Sequence, residues 1–184
     1  MGWSQPAENT HASLVEAMQR MDGVEFDLRL TADDQLVVHH DHTVSISAEM
    51  FDGRPKYVEE WNMADLEEVG FCSFEKLMSD KEWLVPWQEH SKVACLEIKR
   101  SLPEIVKDPT KRMARVMELA TEMVDEAGIH DQAAVFYAFH RKMSEVAKVS
   151  GSSRPWSRLL LSLIHISEPT RQEARGGGGV WGEK

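Results

Sequence analysis

The sequence predicts an α/β fold built around a parallel sheet. Three observations predict it. Short apolar runs of strand character alternate with helical stripes along most of the chain. Glycines stand where helices should stop. Polar residues gather at or near the C-terminal ends of the strand-like runs, where barrel and doubly wound folds place their sites.

The elements follow in order. Residues 8–22 read as a helix that Asn9 or Thr10 can cap, with Leu14, Val15, Met18 and Met21 at helical spacing and Gly23 as the stop. GVEFDLRL comes next, with Val24, Phe26, Leu28 and Leu30 alternating against Glu25, Asp27 and Arg29. That is period two, a strand. ADDQ is a turn and QLVVHHD a second strand. Residues 43–80 are mixed, with short helices at MADLEEV and SFEKLM. KVACLEIK is a third strand, apolar enough to be buried. Residues 111–127 form the clearest helix, a stripe of Met113, Val116, Met117, Ala120, Met123, Val124 and Ala127 closed by Gly128. AAVFYAF is a fourth strand and RKMSEVAKV a further helix.

Bulk composition narrows the function classes. The 184 residues are 42% hydrophobic and 28% charged, within the range of one globular domain with a real core. The net charge of −10 disfavours nucleic acid, whose phosphates need clustered Lys and Arg. An acidic site can still take a phosphate when a divalent cation lies between them. Cys72 and Cys95 have no metal-type spacing and read as buried free thiols. No apolar run approaches the ~20 residues that span a bilayer. MGWSQPAENT has no basic-then-apolar signal pattern, which on that ground alone points to the cytoplasm and leaves the compartment open.

Glu25 and Asp27 lie two apart on a strand and point to the same side. On a surface strand they would be solvated. In a barrel lumen they would need a cation or a basic partner, and Mg²⁺ or Ca²⁺ suits oxygen ligands. Spacing alone leaves both open. Glu97 and Lys99 repeat the arrangement in LEIK: either an exposed edge, or a third oxygen ligand beside a lysine that balances charge or holds a phosphate oxygen. HHDH offers three histidines, but consecutive strand residues diverge, so His39 and His40 do not suit one tetrahedral zinc. One histidine at the strand end suits proton transfer to an alcohol leaving group. His140 is expected at the surface, at a strand end.

Taken together, AENT at 7–10, EFDLRLTADD at 25–34, VVHHD at 37–41 and LEIK at 96–99 resemble the motif series of the glycerophosphodiester phosphodiesterase family. That series is HRG, PENT, E-x-D-x-x-x-T-x-D, V-x-H-D and E-x-K. Order, spacing and strand context agree over roughly residues 2–150. The resemblance implies a (β/α)8 barrel and hydrolysis of glycerophosphodiesters to glycerol 3-phosphate and an alcohol, with Mg²⁺ or Ca²⁺. By the same resemblance Glu25, Asp27 and Glu97 look like the metal ligands, His40 like a catalytic acid/base, Lys99 like a phosphate contact, and Glu8 like a residue that supports the site. The implied partner is a small-molecule glycerophosphodiester.

The sequence also departs from the family. Aligning AENT with PENT leaves Gly2 at the glycine of HRG, and the family's other catalytic histidine has no counterpart. Only four strands are convincing, so the expected fold is an incomplete barrel that lacks its first and last strands, over residues 1–160. LSLIHISEPTR, at 161–171, resembles a translated transposase-type sequencing adaptor, and residues 161–184 are expected to be a tail without evolved function. The chain itself is then expected to be inactive, with activity in a full-length parent. Two alternatives stand beside this: a non-catalytic metal- or phosphate-binding barrel, and a related phospholipase-type phosphodiesterase.

Overall fold

The computed structural model describes residues 8–46, 53–89 and 92–158; the expected tail lies outside them. The elements are α1 (His11–Arg20), β1 (Gly23–Leu30), β2 (Leu36–Val38), α2 (Met63–Glu68), β3 (Cys72–Ser73), α3 (Phe74–Ser79), α4 (Lys81–Glu89), β4 (Val93–Ile98), α5 (Pro109–Glu126), β5 (Ala134–Ala138), α6 (Met143–Ser150) and β6 (Trp156–Arg158). The strands form one open sheet in the order β3-β2-β1-β4-β5-β6. β1, β4, β5 and β6 run parallel. This is the expected α/β fold, and among the described residues the sheet does not close into a barrel.

Two strands at one edge depart from the parallel arrangement. β2 is antiparallel to β1 and β3 is antiparallel to β2. The cause is the five-residue link from Thr31 to Gln35, too short for a helical crossover. Thr31 donates its backbone N–H to the Gln35 carbonyl at 2.9 Å and its hydroxyl to Asp33 Oδ1 at 2.6 Å, and Asp34 takes a left-handed φ of 62°. Asp33 Oδ1 also accepts from the N–H of Met63 at 3.0 Å. The T-x-D part of the motif therefore builds a turn and anchors the start of α2.

Local chemistry explains the helix ends. Thr10 caps α1 by accepting from the N–H of Ser13 at 3.2 Å, and Ser13 Oγ accepts from the N–H of Thr10 at 3.1 Å. Gly23 does not end α1; it opens β1, where a Cβ would collide with the Val93 carbonyl. Asp108 caps α5 at Lys111, and Pro109 takes the first turn, where a missing N–H costs nothing. α4 went unassigned in the sequence because Pro86 interrupts it; its buried Trp83 and Trp87 hold it to the core.

The core lies on one side of the sheet. Phe26, Leu28, Leu96, Ile98 and Phe136 are at most 1% exposed and face α1, α3, α4, α5 and α6. Phe26 meets Phe74 and Trp83 with ring centroids 5.7 Å away in each case. Such a buried aromatic contributes roughly 1.5–3 kcal/mol by transfer from water. A smaller cluster of Val37, Val44, Val58, Trp61, Met63 and Leu66 fills the space under the segment that follows β2. Both cysteines are free.

Candidate active site

The second face of the sheet carries the polar residues. Asp27, Glu97 and Tyr137 sit opposite one another on β1, β4 and β5 and form one row across three parallel strands. Glu25 lies two residues earlier on β1, on the same side. Oxygens of Glu25, Asp27 and Glu97 all come within 4.8 Å of one another. Asp27 and Glu97 are buried, at 4% and 7% exposure, while Glu25 is exposed.

Lys99, just past the end of β4, sets its ammonium 3.2 Å from Asp27 Oδ1 and 2.9 Å from Glu97 Oε1. Tyr137 donates its hydroxyl to Glu25 Oε1 at 2.6 Å, and Asn9 donates to Asp27 Oδ2 at 3.2 Å. One ammonium against three carboxylates leaves the cluster short of positive charge. Desolvation lifts the Glu25 carboxyl above its ordinary value; the Tyr137 bond opposes this, and the Asp27 and Glu97 charges add to it. Burial and the bond to Glu25 push the Tyr137 hydroxyl well above its usual value, so it stays a donor.

The histidine segment after β2 is fastened from below. Arg29, 3% exposed, donates from Nε and Nη2 to the His40 carbonyl at 3.2 and 2.7 Å. Its Nη1 donates to His42 Nδ1 at 3.1 Å and meets Glu59 Oε1 at 3.4 Å. The His40 ring is exposed and its Nδ1 pairs with Asp41 at 2.8 Å. His39 instead sends Nε2 to the Thr43 carbonyl at 3.0 Å and packs edge-on against Phe71. A cavity of about 200 Å³ opens beside the carboxylates, lined among others by Arg29, His42, Glu97, Lys99, Arg100 and His140.

The structure thus brings together Glu25, Asp27, Glu97 and Lys99. It does not put His40 among the cavity residues. Glu8 is exposed and lines a separate cleft with Asn9, Gly23 and Glu25; the contact to the acidic cluster comes from Asn9 instead. His140, expected at the surface, is half-buried in the cavity wall. Sequence reasoning missed Arg29, although its parity with Glu25 and Asp27 was readable. It missed Tyr137 and Glu59 because nothing local shows that β5 lies beside β4, or that the segment before α2 folds under β1.

The chain matches the model of the glycerophosphoryl diester phosphodiesterase family over residues 2–167, a stretch that runs past the boundary expected at residue 160. No curated protein matches it by sequence. Among solved structures it is similar to a glycerophosphodiester phosphodiesterase from Parabacteroides distasonis, at 20% identity and a TM-score of 0.60, covering 85% of this chain and 60% of that one. It is similar to a glycerophosphodiester phosphodiesterase from Thermotoga maritima, at 16% identity and a TM-score of 0.57, covering 84% and 57%. A phosphodiesterase from Oleispira antarctica, solved with the product sn-glycerol-3-phosphate, gives 18% identity and a TM-score of 0.57, covering 84% and 60%. The chain spans well under two thirds of each. Those likenesses carry the fold, and the family match over most of the sequence carries the membership: this chain belongs to the glycerophosphoryl diester phosphodiesterase family.

Proposed function

We propose that this chain is part of an enzyme that hydrolyses glycerophosphodiesters to glycerol 3-phosphate and an alcohol, with a divalent cation held by Glu25, Asp27 and Glu97. The observation that carries the reading is the convergence of three carboxylates within 4.8 Å on one side of β1 and β4, matched by only one ammonium. Oxygen ligands about 2.3–2.6 Å from Ca²⁺ lie up to about 5 Å apart across the ion, so the donor set fits Ca²⁺ as it stands. Mg²⁺, with bonds of about 2.1 Å, needs the carboxylates to close by under ~1 Å.

When bound, the cation would polarise phosphoryl oxygens and neutralise developing charge. The chain's own residues do the rest. Lys99, in the cavity lining beside Glu97, holds a phosphoryl oxygen. Tyr137 and Asn9 fix the orientation of the Glu25 and Asp27 carboxylates. His40, paired with Asp41 on a backbone that Arg29 pins, is assigned proton transfer to the leaving alcohol by its place in the motif series, since its exposed ring lies outside the cavity lining. The chain alone matches one of the family's two histidines, and losing such a group costs ~10²–10⁴-fold. It should therefore turn over glycerophosphocholine well below ~1 s⁻¹, the low end for ordinary enzymes.

Calorimetric titration with sn-glycerol 3-phosphate tests the site. Binding is expected with Mg²⁺ or Ca²⁺ present and should vanish in EDTA. Equal binding in EDTA refutes the cation reading; turnover at ~1 s⁻¹ by this chain would refute only its expected inactivity.

A further inference from the structure

Three imidazoles among the described residues have a hydrogen-bond donor facing Nδ1. Arginine has only donors, so Arg29 Nη1 at 3.1 Å makes His42 Nδ1 an acceptor. The backbone N–H of Lys142 donates to His140 Nδ1 at 3.3 Å and makes it an acceptor as well. The N–H of Gln132 does the same to His130 Nδ1 at 3.2 Å. In each neutral ring the proton must then be on Nε2. His42 and His140 line the cavity that reaches Glu97 and Lys99; His130, exposed at the turn before β5, does not. Among the described residues neither His42 nor His140 has a hydrogen bond from Nε2.

We propose that His42 and His140 are two substrate-contacting residues of this site, each presenting an Nε2–H donor to the phosphoryl oxygens of the bound diester. The inference rests on the phosphodiesterase reading of the cavity. It concerns neither the carboxylate cluster nor His40. Two walls supply the donors: the loop after β2 carries His42, and the end of β5 carries His140.

Charge favours neutral donors here. Arg29, Lys99 and Arg100 already line the cavity, and two further cations would repel them. Burial lowers the affinity of both rings for a second proton. Arg29 adds to this for His42, as do Arg100 and Lys142 for His140. A neutral imidazole N–H still binds an anionic oxygen strongly where water is partly excluded. Arg29 becomes a positioning residue twice over: it holds the loop by the His40 carbonyl and fixes the His42 tautomer. Glu59, buried at its other side, holds Arg29 in turn.

Long-range ¹H–¹⁵N spectra of the histidine rings, recorded while inorganic phosphate is added with and without Mg²⁺, test this. All three rings are expected as Nε2–H tautomers. Phosphate should move the Nε2 signals of His42 and His140 and leave that of His130 in place. His42→Ala and His140→Ala should each weaken phosphate about ten-fold, the size of one hydrogen bond to an anion. His42→Gln, which restores a donor, should recover part of the loss; a merely structural histidine would show no such rescue. An Nδ1–H tautomer in either ring overturns the proposal, and so do Nε2 signals that move no more than that of His130. Mg²⁺ titrated alone separates the two readings. If Mg²⁺ fails to bind but phosphate still moves both Nε2 signals, the cation reading falls and the histidine inference stands. If Mg²⁺ binds and the signals stay still, the reverse holds.

Discussion

Alternate residues of β1 enter two different environments. Phe26 and Leu28 are wholly buried under the helices, whereas Glu25, Asp27 and Arg29 meet Tyr137, Lys99, Asn9 and loop carbonyls. β4 splits in the same way, Leu96 and Ile98 against Glu97 and Lys99. The helix side is held by apolar area and shape, so its residues are costly to shrink. The polar side is held by a charge balance that one ammonium leaves incomplete. The helix side thus sets whether the chain folds, and the polar side sets what it binds.

The largest effect should come from breaking the packed side. Phe26→Ala empties the space between Phe74 and Trp83 and should lower unfolding free energy by about 3–5 kcal/mol in urea titrations. A loss under about 1 kcal/mol would mean that the two sides do not differ as described. On the polar side, Tyr137→Phe removes one hydrogen bond to an exposed carboxylate and should cost only about 0.5–1.5 kcal/mol. That bond holds the Glu25 carboxyl down, so its loss should move Glu25 titration to higher pH, readable by carboxyl NMR. An unmoved titration would place Glu25 outside the influence of Tyr137.

The two thiols sharpen the contrast with the smallest effect. Burial pushes Cys72, on the helix side, up to about 11. Cys95, on the polar side, is half-buried and is raised by desolvation and by Glu25. Iodoacetamide at pH 8 should label Cys95 before Cys72, followed by mass spectrometry; the opposite order would contradict the burial. A raised folded value means the neutral Cys72 thiol favours the fold. Its contribution is complete below ~8.5, the unfolded value, and should fade as pH rises to about 11. Cys72→Ala should flatten that alkaline limb.

Period two made β1 and β4 legible, and with them the shared side of Glu25 with Asp27 and of Glu97 with Lys99. The order of the motifs, not any one spacing, pointed to the family. What the sequence left hidden was pairing. β3 and β6 are two- and three-residue strands that exist only through their neighbours. The antiparallel turn at Thr31 is a matter of loop length, and the tryptophans of α4 outweigh a proline that local propensity counts as a break. In the site, Tyr137 and Glu59 arrive from distant segments, so no local pattern announces them. HHDH is local but ambiguous. Arg29 and Thr43 decide where the His42 and His39 rings turn.

The central claim is that three carboxylates on the polar side form one cation site. Calorimetric titration of Ca²⁺ into the chain, and into its Glu97→Gln variant, tests it most directly. The substitution keeps the shape and leaves Lys99 its contact with Asp27, and circular dichroism checks that the variant is folded. The account predicts one site in the unsubstituted chain, lost in Glu97→Gln and kept in His40→Ala. Ca²⁺ binding of equal strength in a folded Glu97→Gln variant would contradict it.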